Sequence, residues 1–415
     1  MHTKSLSLSI AAICGVSLAG TALAGAEETI EQRLQRMEAQ MQTMQLQLNK
    51  QADTIQRQSA TIAAQEAELE GTPKRLKKLE DAEGDGNWFE NTEVGAVIEV
   101  EAGHHSPYEG DSENDIVLAT FELGIESQIT DWVSAGASLL YEEDDTPLEV
   151  DVAYIHIGNE EKSPFYLTVG QLYAPFGAFE TSMVSDPLTL EIGEARETLG
   201  RLGFAANGFN GSVYVFNGDI KKDGDNVINS WGANAGYAME SENMKLSFGL
   251  DYLGNLGDSD ALQALIDATG GSEVSSHVGG ITANAMAEFG SFVLIGEYLA
   301  ATEAFEANEV AWNGGGAEPS AWNIEAGYNF SIGGMESTLA IGYQGTEEAL
   351  GLGLPERRVI AALSMGVYEN TTLAFEYAHD TDYDNSDSSI NADGAGITGT
   401  DKHADTLTMQ LAVEF

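Results

Sequence analysis

From Thr92 to the end, apolar and polar residues alternate with a period of two in segment after segment. The closing stretch shows the pattern most plainly. Leu407, Met409, Leu411, Val413 and Phe415 fall on one face, and Thr406, Thr408, Gln410, Ala412 and Glu414 on the other. A period of two is a β-strand with one oily and one wet face. Such segments recur at 93–102, 115–128, 132–142, 147–158, 165–173, 194–207, 209–217, 230–239, 244–254, 277–289, 292–301, 320–330, 336–345, 356–367, 371–378 and 403–415. That is about sixteen strands, an even number in the porin range. Their connections alternate short and long: 129–131, 207–208, 290–291, 332–334 and 368–370 are short, whereas 104–114, 174–193, 218–229, 255–276, 304–319 and 381–402 are long. The pattern predicts an all-β chain, an antiparallel transmembrane β-barrel of about sixteen strands over residues 87–415.

A different period precedes the barrel. Leu34, Met41, Leu48, Ile55, Ile62, Leu69 and Leu76 recur every seven residues, with Ile30, Met37, Met44, Gln51, Gln58, Gln65, Thr72 and Leu79 at the matching d positions. This frame predicts an α-helical coiled coil, left-handed. Pro73 falls inside the frame and kinks or ends the helix, and Gly84-Asp85-Gly86 reads as a hinge. Before it, the apolar run from Leu6 to Leu23 closes with Ala22-Leu23-Ala24, the pattern of a cleavable export signal. The expected organisation is a signal peptide at 1–24, a periplasmic coiled coil and hinge at 25–86, and an outer-membrane barrel at 87–415. The terminal aromatic of the last strand resembles the assembly signal of bacterial outer-membrane barrels.

Charge sharpens the picture. Asp and Glu total 67 against 18 Lys and Arg, a formal net charge of −49, and residues 87–415 hold 55 of the acids but nine of the bases. Nucleic acid, whose phosphates need basic patches, is excluded as a partner. Applied strand by strand, the alternation turns Glu99, Glu101, Glu122, Glu126, Glu142, Glu149, Asp151, Glu297 and Glu376 toward the lumen, with Lys245 and Arg358 as basic exceptions. It turns Phe121, Trp132, Tyr154, Trp231, Tyr237, Phe248, Tyr298, Tyr328, Phe375 and Tyr377 toward lipid, as an aromatic girdle. The long connection after the fifth strand, rich in proline and aromatics, is expected to fold into the pore. There Glu180, Asp186, Glu191 and Glu194 would meet Arg196 and Arg201 across a constriction. A ring of like charge in a channel concentrates counter-ions and repels co-ions.

Catalytic and metal-binding patterns are weak. No nucleophile elbow, zincin or nucleotide-binding motif stands in a usable context, and Asp380-x-Asp382-x-Asp384 lacks the glycine and closing glutamate of a calcium loop. The only cysteine, Cys14, lies in the signal segment. No enzyme activity, cofactor or metal is expected.

The first half of the barrel resembles the LbtU family of outer-membrane siderophore porins. The resemblance is carried by WFENTEVGAVIEVEAG (88–103), DIVLATFELGIESQITDWVSAGASLLYEEDDTPLEVDVAYIHIG (115–158), SPFYLTVGQLYAPFGAFETSMVSDPLTLEIGEARE (163–197) and GFAANGFNGSVYVFNGD (203–219). The coiled coil in front fits the same layout. The resemblance implies passage of a ferric siderophore or other small solute through an open barrel, with outer-membrane lipid and lipopolysaccharide around it. A general cation-selective diffusion porin, or a barrel that anchors a structural periplasmic coil, are the alternatives. If three chains share the coil, they hold three barrels together, and a homotrimer is expected.

Overall fold

A computed structural model describes residues 91–415, except 144, 145, 223, 225, 226 and 272. The expected signal segment and coiled coil lie outside the described residues. The described chain forms a closed barrel of sixteen strands. In chain order these are β1 (Thr92–Ser106), β2 (Glu113–Thr130), β3 (Val133–Tyr141), β4 (Glu149–Ile157), β5 (Phe165–Tyr173), β6 (Arg196–Ala206), β7 (Phe209–Phe216) and β8 (Ser230–Ser241). They continue as β9 (Met244–Leu253), β10 (Gly280–Phe289), β11 (Phe292–Ala301), β12 (Ser320–Ile332), β13 (Met335–Glu347), β14 (Arg357–Tyr368), β15 (Thr371–Thr381) and β16 (His403–Glu414). Each strand pairs antiparallel with its sequence neighbours, and β16 closes on β1 with Val97 opposite Glu414 and Ser106 opposite Asp405. Closure leaves no sheet edge, which lipid could not satisfy. The terminal Phe415 completes the seam by exchanging backbone hydrogen bonds with Ala96, 2.7 and 3.0 Å.

Short turns gather at one rim. Asn207-Gly208 and Gly333-Gly334 hold positive φ at both positions, as two-residue hairpins that follow strand twist require. The long loops gather at the other rim, where two short helices form, α1 (Leu188–Gly193) and α2 (Asp260–Gly270). The outward face is apolar along its length: Ile125, Leu202, Val213, Leu250, Ile324, Ile341 and Leu411 stand exposed, with Trp231, Phe292, Tyr298, Tyr328 and Tyr377 among them. An uninterrupted apolar outer band is what a bilayer demands of a barrel.

The buried core therefore sits inside and above the barrel. Leu188 and Ile192 of α1, Leu262, Leu265 and Ile266 of α2, and Leu256, Phe305, Val310 and Ala349 of other loops pack together with Leu199, Tyr214, Phe216 and Leu299 of the wall. The long loops thus fold into a compact cap. Burying a Leu or Ile side chain contributes roughly 1.5–3 kcal/mol, so this cluster orders the long-rim loops.

One bulge changes a face. The β3–β4 register slips between Ala137 and Leu139, so that Asp151 and Val152 occupy one step of the ladder. Beyond it the parity of β4 inverts, and Tyr154, expected to face lipid, points into the lumen beside Glu126. Its ring lies across Gly136, where a Cβ would stand 2.8 Å from the ring atoms.

Candidate functional site

The loop after β5 enters the barrel and is strapped to the inner wall by its own backbone. The Gly177 amide donates to Asp251 of β9 at 3.0 Å. The Ala178 and Phe179 amides donate to the two oxygens of Glu297 on β11, at 2.8 and 3.1 Å. Thr181 Oγ1 and the Ser182 amide reach Glu325 of β12, at 2.7 and 2.8 Å. The Val184 amide donates to Glu376 of β15 at 2.5 Å, joined there by the Ser185 amide and hydroxyl. After Pro187 the chain turns back through α1. The Leu188 amide donates to Gln344 of β13 at 3.0 Å, and Thr189 Oγ1 returns to Glu297 at 2.9 Å. Alternation puts each of these wall groups inward. A carboxylate has lone pairs for two or more donors, and the loop supplies them as backbone amides joined by the Thr181, Ser185 and Thr189 hydroxyls.

This strap corrects the expectation for two residues. Glu297 and Glu376 face inward, but the loop covers them, leaving 6% and 2% of their surface exposed. They anchor the strap and are not free charge on an open wall. Sequence reading missed their roles, and that of Gln344. The signal that could have found them is an inward acid at similar depth on several strands facing one loop.

The free acids lie elsewhere. The described strap bonds reach β9 to β15, so the inner faces of β16, β1 and β2 stay clear of them, and there Glu99, Glu101, Glu122 and Glu126 point inward. Glu101 takes one hydrogen bond, from Gln410 at 2.9 Å. Asp186, at the tip of the strap, faces this wall: burial raises its pKa first, and the charges of Glu142, Glu99 and Glu376 raise it further. Glu142 lies just past β3 and accepts from Thr146 at 2.6 Å. Glu180 leaves the strap as an exposed side chain. The charge of Glu191 is felt at Arg358.

The expected opposition of strap acids and basic residues does not form. Arg196 binds Glu149 and Asp151, at 3.1 Å to the latter, and Tyr173 adds a 2.7 Å hydrogen bond to Asp151. Arg201 lies over the Tyr166 ring at 5.4 Å and donates to Ser212 at 2.9 Å. Arg358 is taken by Asp380, at 2.8 and 3.0 Å, and Lys245 by Glu288 at 3.3 Å near the short-turn rim. Glu194 lies just outside β6 and sits among Asp260, Asp186, Asp151 and Glu191. Burial first and these charges second push its pKa up to about 7. Arg196, Arg358 and Lys245 are thus each paired with acids, and Arg201 is stacked on a ring.

Among the described residues no cluster could hold a metal ion. Asp380, Asp382 and Asp384 are spent separately, on Arg358, on Thr400 and on Ser386.

No protein-family profile matches the chain. It aligns with a UPF0422 protein of Coxiella burnetii, 31% identical over 300 residues, covering 69% of this chain and 63% of the relative. The chain is a homologue of the UPF0422 proteins. The UPF0422 protein lpg2959 of Legionella pneumophila is 27% identical over 342 residues, covering 73% of this chain and 62% of the relative. The chain thus spans less than two thirds of the length of these relatives. Among solved structures it resembles OmpF of Salmonella typhi, in a complex with daunomycin, with a TM-score of 0.54 at 13% identity, covering 78% of this chain and 98% of that one. An anion-selective porin from Comamonas acidovorans gives 0.55 at 14%, covering 78% and 99%, and Pseudomonas putida OprB 0.53 at 9%, covering 79% and 95%. Identities this low establish the fold, a porin-type barrel.

Proposed function

We propose that this protein is a passive porin of the Gram-negative outer membrane whose constriction favours cations. The observation that carries this reading is the tip of the strap: Asp186 looks across at Glu99 and Glu142, and the nearby arginines are already paired or stacked. Carboxylates clustered in a narrow, partly desolvated passage raise the local concentration of cations and repel anions. The short-turn rim then faces the periplasm, and the protein assembles as a homotrimer. Lipid and lipopolysaccharide surround the apolar band.

The resemblance to siderophore porins supplies a substrate class. An acidic passage suits a ferric siderophore of neutral or positive charge and opposes anionic ferric carboxylates. Planar-bilayer recording in a KCl gradient, with cationic and anionic ferric siderophores added as blockers, tests both parts. A reversal potential of the sign set by K+ is expected. An anion-selective channel refutes the reading.

A further inference from the structure

We propose that a recess in the wall beneath the strap is a binding subsite for small, neutral, polyhydroxylated solutes, polyols or monosaccharides. The proposal goes beyond ion selectivity and needs only that water reach the lumen. The recess measures about 210 Å³, and Gly177, Ala178 and Glu180 of the strap roof it over β7 to β11. At roughly 30 Å³ for each water of the liquid, its volume is that of about seven waters.

The floor is a row of residues in register across four strands. Asn210 of β7 lies opposite Gly236 of β8, Gly236 opposite Gly249 of β9, and Gly249 opposite Asn284 of β10. Two bare glycines make a flat base, and the flanking amides fold over it. A Cβ on Gly236 would stand 2.9 Å from Asn210 Oδ1, and one on Gly249 2.7 Å from Asn284 Nδ2. A larger residue at either position would push the amides away.

The polar groups around this base are oriented. Arg201 Nε donates to Ser212 Oγ at 2.9 Å, and the Ser212 hydroxyl donates in turn to Asn234 Oδ1. This relay fixes the Asn234 amide with its N–H groups left over for the recess that Asn234 lines. Asn284 spends one N–H on Asp251, at 3.4 Å, and keeps its carbonyl oxygen. The Asn210 amide and the Glu180 carboxylate make no hydrogen bond among the described residues. The recess therefore offers amide donors and acceptors in alternation.

That alternation identifies the class. A hydroxyl both donates and accepts, as an amide does, so vicinal hydroxyls match a row of asparagines. The two other carboxylates of the lining, Asp251 and Glu297, are engaged by the strap amides. Arg201 reaches the recess only through Ser212, so no free cation there attracts an anion. The flat glycine base leaves room for a ring lying on its face.

Saturation-transfer NMR on the detergent-solubilised full chain reads binding without requiring conduction. Erythritol, D-glucose, gluconate and glucosamine serve as probes. Saturable transfer to erythritol and glucose is expected, with none to gluconate. Asn210→Leu and Asn284→Ala, each retaining wild-type KCl conductance, should each weaken binding about tenfold, the worth of roughly one hydrogen bond. The subsite is refuted by absent transfer to both neutral probes or by unchanged affinity in both variants. It is also refuted by glucosamine binding without glucose, which reports attraction to Glu180 alone. Failure with the cation-selective reversal potential intact leaves the porin reading standing. Binding in a non-selective channel refutes that reading and keeps the subsite.

Discussion

Glu376→Gln tests the strap at its tip. The wild-type carboxylate accepts from the Val184 amide, the Ser185 amide and the Ser185 hydroxyl, and lies almost wholly buried. Glutamine matches the shape but turns one oxygen into an NH2, so a donor faces a donor. Hydrogen bonds to a charged acceptor contribute about 1.5–3 kcal/mol each, and the remaining carbonyl oxygen keeps part of that. The expected net loss is about 2 kcal/mol, or roughly thirtyfold in the population of the detached tip. The anchors at Asp251, Glu297 and Glu325 hold the rest of the loop, so opening is local. Amide hydrogen exchange should show Val184 and Ser185 losing protection by about that factor, with Ala178 and Phe179 little changed. Single-channel conductance should rise and its noise increase as the tip swings off the wall. Unchanged exchange at Val184 and Ser185 would mean that the carboxylate does not hold the tip, and the strap account would fail.

Four further outcomes are expected. Asp186→Asn combined with Glu99→Gln should reduce the K+ over Cl− preference in reversal-potential measurements, and the preference should weaken in high salt as screening shortens to about 3 Å at 1 M. Because burial and neighbouring acids hold the Asp186 carboxyl above the ordinary range, wild-type selectivity should begin to fall at a higher pH than for an exposed aspartate. Arg196→Gln strands Asp151, which is largely buried beside Tyr173; breaking a buried pair costs about 3–5 kcal/mol, read as a lower temperature of barrel unfolding in a gel-shift assay. The cap should loosen as pH rises. Burial pushes Asp258 up to about 6, despite hydrogen bonds from Ser230 and Ile220, and Glu194 up to about 7. A folded-state pKa above the unfolded value contributes stability fully present below the ordinary carboxylate range and lost as pH rises through about 6 and about 7. Hydrogen exchange of residues 256–270, corrected for intrinsic rates, should therefore report more frequent opening at pH 8 than at pH 5.

The barrel was legible because a wall between lipid and water imposes a period of two on every strand, and sixteen such segments match the sixteen strands observed. Tyr154 shows the limit of that rule. The bulge at Asp151 and Val152 adds one residue to the ladder, and one residue is enough to exchange faces. Alternation also names a face without naming its cover: Glu297 and Glu376 were assigned inward, and only the path of the strap reveals that backbone amides occupy them. Arg196 and Arg201 were expected opposite the strap acids. Their actual partners come from other strands, Glu149 and Asp151 from β4 two strands away and Ser212 from β7, whose register no local spacing encodes. The cap was invisible for a related reason, since its core joins loops more than a hundred residues apart, Leu188 with Phe305 among them.

Because most of the strap's grip comes from main-chain N–H groups and the Ser and Thr hydroxyls near them, much of its side-chain surface carries no fastening duty. Glu180 and Asp186 can be exchanged for other residues while the loop keeps its course. Glu297, Glu325 and Glu376 have no such freedom, since each accepts from two or more donors of the strap. Barrels built this way can change what they admit by rewriting a few loop letters and leaving the frame alone. For an engineer, residues 180 and 186 are the places to install a new filter.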